Sequence, residues 1–268
     1  MRLLAETRKW TATIRIAWLK LLAYKFNFTL QVLGPVLVFF FIRYNLWAAI
    51  YQLEGITTLQ GYTFPQMLAY QAWVMLVSFL GLGFNGMSLA EDIRLGRISA
   101  YLVYPFGFWP FHASSFLATQ LLQLLIGAIT IAALTLVGWI APHPGLLLRG
   151  TLYCCVMALF WFQINFLIGI LAFWLEETWV LRVMCVLVTQ FFSGAMIPLE
   201  LFPDWLRASL DDLPFPYLVW VPVKLFMGSY SGSLLQAFGI LLLWTALALL
   251  ASALVWRQGI RAYTGAGI

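Results

Sequence analysis

Charge is what this sequence has least of. Only 9% of its 268 residues are Asp, Glu, Lys or Arg, against about 25% in a typical soluble domain. A soluble chain of this length cannot hide the 63% of residues that are apolar, and the mean hydropathy of +0.91 agrees. A soluble enzyme or binding domain is excluded, which leaves an integral membrane protein. Alternation is missing too. Residues 128–139 and 240–250 run apolar without the period-two pattern of a membrane β-barrel, so the crossings are helices. Cysteine is scarce: Cys154, Cys155 and Cys185 make an odd number inside apolar runs, which excludes a disulfide framework and reads as core-filling thiols.

Chemistry-bearing patterns are equally thin. The two histidines, His112 and His143, stand at opposite ends of one predicted span, so no metal site is expected, and His112 reads as an interfacial residue. No phosphate-binding Gly-x-x-x-x-Gly-Lys-Ser/Thr, His-Glu-x-x-His or Gly-x-Ser-x-Gly is present, so no catalytic residue is assigned and the chain is not expected to be an enzyme. No acidic residue falls within a predicted span. Proton- and sodium-coupled carriers place ionisable groups there, so energy for transport is expected from outside the chain. Charges at Arg8, Lys9, Arg15, Lys20 and Lys25 interrupt any leader-like apolar stretch.

What is present is a series of long uncharged runs. They lie between Lys25 and Arg43, Glu54 and Glu91, Arg97 and Arg149, Arg149 and Glu176, Arg182 and Glu200, and Lys224 and Arg257. Each holds one crossing of about 20 residues. The predicted fold is an all-α polytopic membrane protein, one transmembrane domain over residues 1–268. Its six transmembrane helices fall near 26–50, 66–88, 112–140, 150–174, 180–197 and 234–256. Residues 2–21 read as an N-terminal amphipathic surface helix. Leu3, Trp10, Ile14, Trp18 and Leu21 share one stripe, with Arg2, Lys9 and Lys20 opposite. The rival reading is a signal that merely fixes topology. Charge bias places Arg2, Arg8, Lys9, Arg15, Lys20, Lys25, Arg94, Arg97, Arg182, Arg257 and Arg261 on one side, against Arg43, Arg149, Arg207 and Lys224. By the positive-inside rule both termini are cytoplasmic.

Two joints are more than turns. Segment 89–111 begins charged, continues amphipathic and meets Pro105 and Pro110, which predicts a short surface helix broken by proline. Segment 196–232 interleaves Pro198, Pro203, Pro214, Pro216 and Pro222 with Trp205, Phe215, Tyr217 and Trp220. That is too apolar for a solvated loop and too broken for a span, and predicts short re-entrant helices between spans five and six. Polar residues at membrane depth include Gln31, Arg43, Asn45, Gln71, Gln120, Gln123, Gln163, Asn165 and Gln190. Hydrogen bonding between helices, at about 1 kcal/mol each, is their ordinary use. Arg43 is expected to snorkel outward from the first span, with lining a pathway as the alternative.

Residues 91–105, Glu-Asp-Ile-Arg-Leu-Gly-Arg-Ile-Ser-Ala-Tyr-Leu-Val-Tyr-Pro, resemble the charged stretch after the second span of ABC-2-type exporter permeases. Residues 193–206, 213–217 and 222–228 are similar, in order, to that family's re-entrant region, and 259–265 to the basic tail of its bacterial six-span branch. The resemblance implies a permease subunit of an ATP-binding cassette exporter in the bacterial cytoplasmic (inner) membrane. It would pair as a homo- or heterodimer with a second permease chain. Two separate cytoplasmic ATPase subunits would bind ATP and Mg, with no cofactor in this chain and no nucleic acid among the partners.

The same resemblance makes 89–106 the coupling-helix region, with Glu91, Asp92, Arg94, Gly96 and Arg97 facing the ATPase. Glu176 and Glu177, beside Arg182, would be a second contact, and helix 2–21 a connecting helix. Segment 198–228 would be the outer gate, carrying Pro198, Phe202, Pro203, Trp205, Pro214 and Pro216. Gln31, Arg43, Asn45 and Gln190 would line a pathway. Abundant aromatics without mid-membrane acids favour an amphipathic or lipid-like cargo. The rival from another class is a non-transporting membrane scaffold or assembly factor.

Overall fold

The computed structural model describes residues 2–23, 25–53, 55–83, 87–103, 106–139 and 143–263, with backbone alone at 2–6, 21–22, 25–33, 35–36, 87 and 102. Apolar runs wind into α-helices because a backbone in hydrocarbon must satisfy its own hydrogen bonds. In chain order these are α1 (Arg2–Ala23), α2 (Lys25–Leu53), α3 (Phe64–Leu82), α4 (Met87–Arg94), α5 (Ile98–Val103), α6 (Phe108–Leu136) and α7 (Pro144–Ile170), which a 3-10 turn extends to Phe173. Then come α8 (Trp179–Phe192), a 3-10 turn at Leu199–Leu201, α9 (Asp204–Leu210), α10 (Phe215–Leu218), α11 (Trp220–Phe226) and α12 (Leu234–Ala262). Among the described residues no strand forms, only an isolated bridge between Leu59 and Tyr62.

Four helices among the described residues are long and apolar enough to cross a bilayer: Phe64–Leu82, Phe108–Leu136, Pro144–Phe173 and Leu234–Ala262. They correspond to the expected second, third, fourth and sixth spans. The expected first span contributes a shorter apolar stretch, Leu37–Leu53 of α2. The expected fifth span, 180–197, is cut short. Its helix α8 stops at Phe192, and Gly194 takes φ +80°, a left-handed conformation that ends the helix before Pro198. Fourteen residues rise about 21 Å, short of the ~30 Å hydrocarbon.

The central helix is α7, with α3, α4, α11 and α12 packed around it. Glycines set the closest approaches: Gly150 lies against the Phe226 ring of α11, and Gly169 against Leu89 of α4. These two contacts mark opposite ends of α7 and of the molecule. Around the first end lie Trp47, Tyr70, Trp73, Tyr153 and Leu241, with Trp73 stacked on Phe226 at 4.7 Å. Around the second lie Ile93, Ile98, Phe116, Phe166 and Phe108, which stacks on Trp256 at 5.0 Å. Polar groups between the helices find partners there: Gln163 Nε2 donates to Ser252 Oγ at 2.6 Å and Gln120 Nε2 to the Leu80 carbonyl at 2.8 Å. Satisfied in this way, they cost little to bury.

Helix α1 runs beside the start of α6. Trp10 meets Phe106 edge-on at 5.8 Å, and the Trp18 indole donates to the Ala118 carbonyl at 2.7 Å. Trp10, Ile14 and Trp18 of the expected stripe are half-buried in this way, whereas Arg2, Leu3 and Leu21 lie outside the described side chains.

Candidate functional site

Among the described residues, the Leu89 end of the molecule gathers most of the paired charge. Helix α4 is amphipathic in phase: Leu89, Asp92 and Ile93 face inward, while Glu91 and Arg94 face out. A turn at Leu95, Gly96 and Arg97 separates α4 from α5, and Gly96 makes it possible with φ +69°. The break expected at proline therefore falls first at this glycine. Pro105 lies outside the described residues, and Pro110 sits in the first turn of α6, where its missing N–H costs nothing.

Arg94 forms an ion pair with Glu177, joining two turns far apart in sequence. Both side chains are more than half exposed, so the pair itself is worth about 0–1 kcal/mol. Its geometric result matters more. Glu91, Arg94, Asn165, Glu176, Glu177 and Arg182 line one cleft, a cavity of ≈ 150 Å³. The two groups of charges expected to face a partner thus share one surface.

Asp92 departs from that expectation. It is only 7% exposed and turned into the protein. The Tyr101 hydroxyl donates to its Oδ2 at 2.9 Å, Arg97 reaches Oδ1 at 3.3 Å, and His112 Nε2 stands 3.6 Å from Oδ2. His112, expected at the interface, is buried at 3% against Phe108 and Phe111. Asp92 is an internal tie between α4, α5 and α6, because its helical phase matches that of Leu89 and Ile93. Tyr263 closes the same end from α12, its hydroxyl donating to the Gly96 carbonyl at 3.2 Å.

At the Phe226 end, α10 and α11 pack as a buried cap, while α9 buries only Leu210. Pro198, Pro214 and Pro216 are buried and Phe202 is half-buried, 5.7 Å from the Phe191 ring, whereas Pro203 and Trp205 are exposed. The cap is held by a pair that sequence reading did not single out. Lys224 Nζ lies 2.7 Å from Glu200 Oε1, Trp220 Nε1 donates to Glu200 Oε2 at 3.0 Å, and the Tyr62 hydroxyl reaches Oε1 at 3.3 Å. The ammonium also stands 4.7 Å from the Tyr62 ring centroid. Burial pushes the Glu200 carboxyl up, but hydrogen bonds from Lys224 and Trp220 outweigh it and hold the group below the usual carboxylate range. Burial, and then the charge of Glu200, raise the Tyr62 hydroxyl. The signal available beforehand was a lone lysine in the apolar run 219–227.

The described side chains of the expected pathway residues, Arg43, Asn45 and Gln190, take separate partners or faces within the single chain. Gln31 lies outside the described side chains. Asn45 is exposed and donates to its own helix at the Phe41 carbonyl, and Gln190 is exposed on α8. Arg43 does not snorkel: its guanidinium donates to Gln71 Oε1 of α3 at 2.8 Å, because a neighbouring helix offers an acceptor at the same level.

Residues 37–267 match a family model described as ABC-2 family transporter protein. No curated protein and no solved structure matches the chain.

Proposed function

The chain belongs to the ABC-2 family of transporter proteins, and from that membership we propose that it is the permease subunit of an ATP-driven exporter in a bacterial cytoplasmic membrane. Two permease chains, identical or related, would bind two separate ATPase subunits carrying ATP and Mg. Closing and opening of the ATPases would drive alternating access for an amphipathic cargo.

The observation that carries this reading is the single charged cleft formed by Glu91, Arg94, Glu176 and Glu177. Mixed exposed charge suits a mobile, salt-sensitive interface. Six crossings with both termini cytoplasmic would put that cleft on the ATPase side, α2 and α8 supplying the first and fifth. The opposite cap, tied by Glu200 and Lys224, would be the re-entrant outer gate, and α1 the connecting helix. The test is purification of the tagged chain from its host in mild detergent. Co-purification of a nucleotide-binding protein with vanadate-sensitive ATP hydrolysis is expected. Recovery of the chain alone in several detergents would favour a scaffold instead.

A further inference from the structure

Arg43 lies ten residues before the end of α2, about 15 Å along the helix, which on the six-crossing reading is about half a hydrocarbon thickness deep. A charge at that depth is costly and is normally paired. The ion pairs among the described residues go instead to Arg94, Arg97, His112 and Lys224. Arg43 has the neutral oxygen of Gln71.

That contact has a chemical consequence. A guanidinium only donates, so the Gln71 amide must turn its oxygen toward Arg43 and its NH₂ away. Gln71 is 0% exposed, and Nε2 finds no acceptor among the described residues. One turn beyond Arg43, on the same face of α2, Trp47 is 3% exposed and its Nε1 also finds none. Orphaned buried donors are rare, and each costs about 1–3 kcal/mol. Here two orphaned donors, each lacking an acceptor, accompany a cation whose acceptor is a neutral amide rather than a carboxylate. The neighbouring Tyr70 hydroxyl donates to the Gly194 carbonyl at 2.7 Å, and neither orphaned N–H reaches its oxygen.

We propose that Arg43, Trp47 and Gln71 form a recognition site for an oxyanion, the phosphate or carboxylate of an anionic ligand. A guanidinium fork matches such a group in geometry as well as charge. Arg43 is half-buried and flanked by the exposed Phe39, Phe41, Ile42 and Leu46, so the site opens on an apolar surface suited to the tail of an amphiphile. The assignment rests on the transporter reading and narrows its cargo to anionic molecules.

The test is binding of ³²P-labelled dodecyl phosphate to the purified full-length chain in uncharged maltoside micelles, by scintillation proximity. Saturable binding is expected, unaffected by dodecyltrimethylammonium and weakened about tenfold or more by Arg43→Gln, or some 1.4 kcal/mol. Trp47→Phe keeps the aromatic packing and removes only the N–H, so it probes the site if the arginine variant does not fold; weakening of a few-fold is expected. Displacement by inorganic phosphate identifies a free anion as the ligand, and displacement by unlabelled dodecyl phosphate alone identifies an amphiphile. Either sustains the assignment. It is overturned if the wild type shows no saturable binding, if the cationic amphiphile competes equally, or if both variants bind as the wild type does. Binding by the isolated chain is separate from ATPase co-purification, so the two readings fail independently.

Discussion

Lys224 and Glu200 hold the broken helices together, with Nζ 2.7 Å from Oε1 and only 11% and 21% of the two side chains exposed. One charge comes from α11 and the other from the 3-10 turn after α8, so the contact closes the loop that contains α9 and α10. Tyr62 and Trp220 bond the same carboxylate, which extends the tie to the turn before α3. Prolines prevent these segments from forming one continuous helix, and side-chain ties supply the order that backbone hydrogen bonding would otherwise give.

A double-mutant cycle measures that tie. Fully buried pairs cost about 3–5 kcal/mol when one partner is removed, and exposed pairs about 0–1 kcal/mol. This pair lies between, so Lys224→Met is expected to cost about 1–3 kcal/mol. Lys224→Met combined with Glu200→Gln should cost less than the two single changes added, because neither then strands a charge. Thermal unfolding of the detergent-purified variants checks the coupling.

Acid should loosen the same cap. The Glu200 carboxyl is held below its ordinary value, so its stabilising contribution is present above the unfolded pKa, about 4.3. It is lost as pH falls through the lower folded pKa. The Tm difference between wild type and Glu200→Gln is therefore expected to stay level from pH 7 to about 6 and to narrow below about pH 4. A difference that widens on acidification would contradict the tie.

Composition and run length made the long helices legible, whereas the cap of α12, the Ser233 hydroxyl accepting the Gln236 N–H at 3.3 Å, was read only from the structure. The end of α8 was hidden because Phe191, Phe192, Ala195, Met196 and Ile197 stay apolar through the bend at Gly194. Apolarity reports burial, not φ. The inward turn of Asp92 was readable in its spacing from Leu89 and Ile93, yet the family resemblance implied a partner-facing residue. The contacts of Arg43 and Glu200 were hidden for a different reason. Their partners, Gln71 and Lys224, are brought close only by packing between segments, which no local pattern encodes.

Glycine substitutions should separate close packing from open surface. A Cβ at Gly150 would meet the Phe226 ring at 2.7 Å, and that ring is stacked on Trp73 with no freedom to retreat. Gly150→Ala is expected to cost about 1–3 kcal/mol. At Gly239, within α12, nothing lies within 4 Å of an added Cβ. Gly239→Ala is expected to stabilise by about 0.5–1 kcal/mol through helix propensity alone. Opposite signs in thermal unfolding would confirm the packing, and equal effects would refute it.

Exposure divides Glu91 from Asp92, although they are neighbours in sequence. Glu91 faces the cleft with Arg94 and Glu177, and its own contact is a half-exposed ion pair with Arg97 at 3.7 Å, worth about 0–1 kcal/mol. Glu91→Lys is therefore expected to leave thermal stability within about 0.5 kcal/mol while reducing co-purification of the proposed ATPase, with a steeper loss as salt is raised. Asp92→Ala removes the acceptor of the Tyr101 hydroxyl and opens space beside His112. It should cost about 1–3 kcal/mol, and partner recovery should fall only in proportion to folded protein. If both variants lose the partner with no loss of stability, Asp92 contacts it directly and the inward orientation is refuted. If Glu91→Lys retains the partner at high salt, the cleft is not the docking surface.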